Sequence, residues 1–410
     1  MKLIILFLII FSISAQYTIV QDDTFNHQYS KDGYLSLRNI FIVNSSTILM
    51  SGTIVSRTTF LNTTIEIDQR DVSHGIMIKS VNFKYEWAIA NENLHISKIA
   101  LDDKQKYLIV VGNYKLFNEQ TAVLRKINYS TGKLLPNNIY ERNMTFNAMK
   151  IIGNHIYVTG AIDLWTYKVT GTKLERRTGI IVRCYDLESF KLLDEYFVKE
   201  LNDTHTNTGC KGGNSLDIDD NGDIYVTGDM YAKTAISCYT IFFKLDKSFK
   251  LQYMYFFRPL VISSGRSITV NNNFVIVSGY FLHNLNVQDK IIYAESLFIN
   301  GFTTIFSKDG RLLNLTRLQN PIEYSEQFVS KGMFINHDII LLAGYINTYF
   351  EREEHGLFNI GPYNKPLAQY ILPFKLSTIG DMVLYDNKIY AVGTFDGSQS
   401  YLMRFVIKMH

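Results

Sequence analysis

One short pattern recurs seven times along the chain, and it restricts the fold to a repeat architecture. Each copy is an apolar strand ending in glycine, preceded by a polar turn and another short strand. The copies end at Gly52, Gly112, Gly160, Gly228, Gly279, Gly344 and Gly393. Successive glycines are 60, 48, 68, 51, 65 and 49 residues apart, the length of one four-stranded propeller blade with variable loops. The runs are too short for helices and rich in β-branched and aromatic residues, as buried strands are.

Four copies show the rest of the unit. Upstream strands such as Ser267–Val270 lead into Asn-, Asp- or Gly-containing hairpins, for example 220–223 and 271–273, which supply positive-φ positions. Downstream, a third strand, a polar turn and a fourth strand beginning with Leu repeat at 124–135, 182–193, 242–251 and 305–313. The seventh copy ends in its third strand, Tyr401–Ile407, three residues before the last residue. An open ring would expose a sheet edge, so residues 16–20 are expected to supply the missing strand. The expectation is an all-β, seven-bladed propeller of four-stranded antiparallel blades, ring closed by the N-terminal strand. The blades fall near 36–90, 94–142, 147–199, 213–258, 266–318, 331–374 and 380–410 plus 16–20. Six or eight blades and tandem β-sandwiches are the competing architectures.

The segment Asp220–Gly228 resembles the D-x-x-G-N-x-Y-V-T-G core of the SBBP-type β-propeller repeat, and the copy at Ile156 is close to it. That resemblance implies a propeller and no particular activity.

Met1 and Lys2 precede an apolar run, Leu3–Phe11, and then small residues to Ala15, as in a secretory signal peptide spanning 1–15. The run is too short to cross a bilayer, which takes about 20 residues, and no later segment is long and apolar enough. The mature chain is expected to lack a transmembrane segment and to reside outside the cell or in the secretory lumen. Sequons at Asn44, Asn62, Asn128, Asn143, Asn202 and Asn314 agree with that passage. In an oxidising compartment one pair among the three cysteines is expected. Cys210 and Cys238 map to one face of the ring and are read as a disulfide, while Cys184 is read as a buried small hydrophobe.

The charge balance, 41 basic against 38 acidic residues, gives no case for nucleic acid. Asp217, Asp219, Asn221 and Gly222 match the first half of a calcium loop. The twelfth position is Gly228 where a bidentate Glu is needed, so the stretch is read as a hairpin and no metal is expected. No nucleophile elbow, zinc motif, phosphate loop or Rossmann fingerprint occurs, and no cofactor is implied. Long loops follow the strand-b glycine in blades one, three and five, all on one face, where binding residues tend to sit. Trp165, Tyr167, Lys168, Arg176 and Arg177 in blade three, with Tyr280 and His283 in blade five, form the expected rim for a protein or glycan partner. The leading reading is a secreted or cell-surface recognition module without catalysis. The alternative is a propeller enzyme of glycosidase or lyase type, with His95, Arg266 and Asp381 near the mouth of the central channel.

Overall fold

The computed structural model describes residues 17–22, 28–30, 33–66, 73–116, 119–167, 174–199, 212–231, 238–294, 298–322, 324–336, 339–348, 353–362, 367–372, 378–395 and 399–409. Seven antiparallel sheets follow one another around a ring, each built from strands a to d in order. Blade 1 holds strands from Leu35 to Glu92, blade 2 from Leu94 to Arg142, and blade 3 from Met144 to Lys199. Blade 4 runs from Gly212 to Pro259, blade 5 from Ser263 to Arg317, and blade 6 from Ser325 to Ile371. Blade 7 takes strands a to c from Thr378 to Met409 and its strand d from Tyr17–Gln21. The protein is an all-β, seven-bladed β-propeller.

The apolar runs of strand b are explained by where they lie. Each sheet is covered by a neighbouring blade on both faces, so neither set of alternate side chains meets water. In blade 2, Ile109 and Val111 join Met144, Phe146 and Val158 of blade 3, while Leu108 and Val110 join Leu49 and Met77 of blade 1. Between blades 4 and 5 the filling is aromatic: Phe242 packs on Phe306 at 4.7 Å between ring centroids. The contact between blades 5 and 6 is leaner, with Ile276 and Ile305 against Ile340.

The recurring glycine has a steric cause. In all seven blades strand a carries a β-bulge, and in all seven it falls opposite the strand-b glycine. The register slips by one residue at Arg38, Ser97, Asn147 and Asn214. It slips likewise at Arg266, Ser330 and Gly380. Each bulge pushes a strand-a carbonyl into the place a Cβ would need. A Cβ at Gly160 would lie 1.7 Å from the Thr145 oxygen, and one at Gly112 would lie 2.4 Å from that of His95. The other five glycines meet a strand-a carbonyl oxygen between those two distances. The bulge also sharpens the strand's twist and inserts one extra residue per blade at the ring's inner wall.

Closure follows the expected route, one residue along: strand d of blade 7 is Tyr17–Gln21 rather than 16–20, pairing Tyr17 with Met409 through Gln21 with Phe405. Gln28 and Tyr29 extend the contact along the same strand. Asp22 accepts from Arg404 Nε at 2.7 Å, and Ile19 is buried with Phe358, Met382 and Phe405.

The long loops differ from expectation in where they go. In blade 5 the connection folds into a hairpin, Asn284–Val287 with Lys290–Tyr293, that pairs with the last strand of blade 4 through Arg258 and Pro259. It then runs down the outside of blade 5, where Gln288 Nε2 donates to the carbonyl of Gly310 in the opposite face's turn at 2.9 Å. Leu285 and Val287 are fully buried there, because this hairpin covers an apolar flank. In blade 1 the small hairpin Thr58–Phe60 with Thr63–Ile65 likewise packs down, with Phe60 and Ile65 in the core between blades 7 and 1. Blade 3 extends strands b and c furthest beyond its own sheet among the described residues, by five pairs as a ribbon against two in blades 2 and 4. Strand a stops pairing at Ile162 and strand d at Gly179, yet b and c stay paired from Asp163 with Thr178 out to Tyr167 with Leu174.

Candidate functional site

Two places stand out: the central channel, which gathers polar residues from elements distant in sequence, and the blade 3 ribbon, a single hairpin of strands b and c. The channel encloses about 1130 Å³ and takes residues from all seven blades, chiefly from strand a. Its basic lining residues are Arg38, Lys98, Lys150, Arg266 and Lys331, against Asp217 and Asp381.

Both acids are engaged. Asp381, almost fully buried, accepts from Lys98 Nζ at 2.8 Å and from the backbone N–H of Ile40 at 3.3 Å, with Lys331 Nζ 3.7 Å away. It thereby ties together blades 1, 2, 6 and 7. Burial pushes its pKa up, but Lys98 and Lys331 outweigh that and hold the carboxyl below the ordinary range. Lys98 is displaced downward by burial and by the like charge of Lys331. Asp217 is bonded to Lys150 of the preceding blade and accepts from the Val270 N–H of the next at 2.8 Å. Asp217 and Asp219, which share half a calcium motif in sequence, are held by different lysines: Asp219 accepts from Lys308 Nζ at 2.8 Å and caps its own hairpin.

Replacing Asp381 by Asn should therefore cost about 3–5 kcal/mol, because it leaves two lysines facing each other without their shared counter-charge. A carboxyl with a depressed folded pKa stabilises fully above its unfolded value of about 3.9, and that stability is lost as pH falls through the folded value. Urea midpoints at pH 7 and pH 3 check both points: D381N should fall well below wild type at pH 7, and the gap should narrow in acid.

The bulge residues stitch the ring. Asn147 Nδ2 donates to the carbonyl of Gly213 at 3.1 Å, and Asn214 Nδ2 to that of Gly265 at 2.8 Å. Ser330 Oγ donates to the Ile379 carbonyl at 2.8 Å. Each acceptor immediately precedes the next blade's bulge, so the bond locks neighbouring bulges in step. Arg38 and Arg266 occupy the same position in blades 1 and 5 without making that bond. Arg38 donates to His95 Nε2 at 2.8 Å, which fixes His95 as the acceptor and puts its own proton on Nδ1. Enclosure by the channel wall, and then the Arg38 charge, lower the His95 pKa. Arg266 donates to Tyr280 at 2.9 Å and lies over its ring, 5.3 Å from the centroid. Tyr280 meets Phe328 edge-on at 5.1 Å, and Phe328 stacks on Tyr345 at 4.8 Å.

His95, Arg266 and Asp381 thus share one channel, as their places early in strand a suggested. No sequence signal pointed to Arg38, Lys98, Lys150 or Lys331, which belong to different blades and share no local motif. Tyr280 needs correcting: it is a buried strand-b residue of the channel wall and not part of an outer rim, because the blade's core runs two residues past Gly279. His283 starts the hairpin that turns down the flank, at φ 69°, and its carbonyl accepts from Ala294.

In the blade 3 ribbon Trp165 is paired with Arg176, and Leu164 with Arg177. Lys168 lies outside the described residues, as do Cys210, Asn202 and residues 1–16. Cys238 opens strand c of blade 4 and is buried. Cys184 is buried as well, and burial pushes its thiol up to about 11. Among the described residues no helix is long and apolar enough to cross a membrane.

No protein-family model matches the chain, and no curated protein sequence does. Solved propellers do. A hydrazine synthase structure from Kuenenia stuttgartiensis is 10% identical, with 91% of this chain and 97% of that one covered and a TM-score of 0.53. The propeller of Dos1 is 9% identical over 92% of this chain and 93% of that one, with a TM-score of 0.50. The propeller domain of Cps50 (Swd1) from Myceliophteria thermophila is 9% identical over 93% and 98%, with a TM-score of 0.50. At these identities the likeness is one of fold: the chain is similar to β-propellers of widely differing sequence.

Proposed function

We propose that the protein is a recognition module without catalysis, working outside the cell or in the secretory lumen, and that it grips a protein or glycan partner with the blade 3 ribbon. The ribbon carries the reading. Five residue pairs, from Asp163 with Thr178 to Tyr167 with Leu174, stand clear of strands a and d, so the blade does not need them to complete its sheet. The same hairpin carries Trp165, Tyr167, Arg176 and Arg177, residue types that dominate binding energy at interfaces. The hairpins of blades 1 and 5 have a packing role that accounts for their length. Glycoside chemistry uses a pair of carboxyl groups, and the two that line the channel among the described residues, Asp217 and Asp381, are both held by lysines.

The secretory setting is supported by the sequons. Asn44 and Asn62 are exposed at turns. Asn44 and Asn128 hold their turns through Oδ1, leaving the amide nitrogen that would bear a glycan outside those bonds. A Cys210–Cys238 disulfide belongs to the same reading.

The test uses protein purified from its native source, whose mass should fall on treatment with an N-glycosidase. A glycan array and capture from matrix or membrane extracts identify the partner. Trp165→Ala with Arg177→Ala should then weaken binding, each true hot spot costing on the order of 2 kcal/mol, with thermal stability unchanged. A partner that binds the folded double variant at wild-type affinity refutes the ribbon as the grip.

A further inference from the structure

We infer that the central channel is a binding site for a small ring-bearing oxyanion, a phosphate or sulfate ester, held by Arg38 and Arg266 and packed on the aromatic wall of blades 5 and 6.

The charge count comes first. Among the described residues five basic side chains line the cavity against two carboxylates, and both carboxylates are already bonded to lysine. Asp381 serves Lys98 and Lys331 together, so one negative charge faces two positive ones. Arg38 and Arg266 have no carboxylate within ion-pair distance among the described residues. Arg266 feels the field of Asp229, but that carboxylate accepts from Ser264 Oγ and the Gly265 N–H instead. Glu326 and Glu354 do not line the cavity. A narrow channel with low-dielectric walls concentrates such an excess of one sign and draws in anions.

Geometry says which cations are available. A guanidinium has five N–H donors in a planar fork that matches an oxyanion. Arg38 uses one on His95, and Arg266 uses one on Tyr280. Both stand at the bulge position where Asn147, Asn214 and Ser330 stitch blade to blade, and both forgo that structural bond. The inter-blade joints beside them are made by other groups. Asp381 reaches Ile40 in blade 1, and Ser267 Oγ accepts from the Gly332 N–H of blade 6 at 2.9 Å. The two arginines line the cavity and keep donors that these bonds do not consume.

The aromatic wall selects the remainder of the ligand. Tyr280, Phe328 and Tyr345 form a continuous stacked and edge-on series lining the same cavity beside Arg266. Burial pushes the Tyr345 phenol up to about 12, so it meets a ligand as a neutral hydroxyl. A planar or sugar ring can lie on this wall while its ester oxygens reach the guanidinium groups. Arg38, Arg266 and the aromatic wall all lie in blades 1, 5 and 6, outside the blade 3 ribbon, so the fate of the partner reading and of this one are separable.

Isothermal titration with phenyl phosphate, phenyl sulfate, inorganic phosphate and neutral phenyl β-glucoside tests the site on the full-length protein. The esters should bind, and the relative affinities of the two name the oxyanion. Inorganic phosphate should bind at least about tenfold more weakly than the matching ester, and the glucoside not measurably. Arg38→Gln and Arg266→Gln should each weaken ester binding by about tenfold or more, consistent with loss of a charge-assisted bond. Phenylglyoxal labelling with peptide mass spectrometry gives a readout that does not depend on how the variants fold: phenyl phosphate should protect Arg38 and Arg266 in wild type. Failure of both esters to bind folded protein, glucoside binding as tight as theirs, unchanged affinity in the folded double variant, or labelling of both arginines unaffected by ester would each overturn the proposal.

Discussion

A chain lacking residues 17–30 will fail to hold the ring. Those residues supply the five-pair strand d of blade 7, the two further pairs at Gln28 and Tyr29, and the Asp22–Arg404 contact. Removing them strips a buried Ile19 from the core against Phe358 and Phe405 and uncouples strand c along most of its length. A buried isoleucine contributes about 1.5–3 kcal/mol and each lost backbone bond about 0.5–1.5 kcal/mol. The total approaches the 5–15 kcal/mol by which domains are stable at all. The loss also bares Gln399–Met409 as a long apolar edge, a template for aggregation. Thermal unfolding with light scattering should show early melting and association. Moving residues 17–30 behind Met409 through an Asn-Gly turn should restore most of the stability, because Tyr17 already pairs with Met409 and a two-residue hairpin satisfies that register. A truncated chain as stable as the full one removes the N-terminal strand from the closure.

Gly160→Ala should be nearly as damaging, although it adds a single methyl group. Its Cβ would sit 1.7 Å from the Thr145 carbonyl oxygen and 3.0 Å from the Phe146 Cα, both backbone atoms of the bulged strand, so no side chain can swing aside. Relief requires undoing the bulge, which would shift Asn147 and break its bond to Gly213 in the next blade. We expect a loss on the order of 4 kcal/mol or more, in the range reserved for steric conflict in a core. Gly153→Ala is the control. Gly153 holds a turn at φ +55° with nothing within 4 Å of its Cβ site, so only the left-handed backbone is penalised, at about 1 kcal/mol. Gly153→Asn should be milder still, since Asn tolerates that conformation. Urea unfolding of the three variants ranks them; equal costs at 153 and 160 would contradict the bulge explanation.

The seven glycines were legible as a period before their cause was. Period and hairpin residues follow local rules: a strand needs β-branched residues, and a tight turn needs Asn, Asp or Gly. Those rules write themselves into adjacent positions, as in Asp220–Gly228, and so count the blades. Loop length was legible too, but not loop destination. Leu285 and Val287 read as loop residues in a long insertion, and the flank they cover is formed by Phe281, Phe302 and Phe306, which no local pattern connects to them. The same holds for Tyr280, whose channel-facing position depends on Arg266 of the neighbouring strand and Phe328 of the next blade.

The sequence alone determined the blade number, the strand order within a blade, the recurring glycine of every strand b, and the incomplete seventh copy that requires a strand from the other end of the chain. These are consequences of short-range stereochemistry and of the backbone's need for partners, which repeat with the blade. The tertiary structure decided what the repeats bring together. Arg38, Lys98, Lys150, Arg266, Lys331 and Asp381 share one channel although more than 300 residues separate the first from the last. Ring closure makes neighbours of residues at one height in different blades, and neither their charge balance nor their pairing is encoded at any single position. It also decided why the glycines are there: a carbonyl displaced by a bulge in the adjoining strand fills the Cβ site, and that displacement exists only once strands a and b are paired.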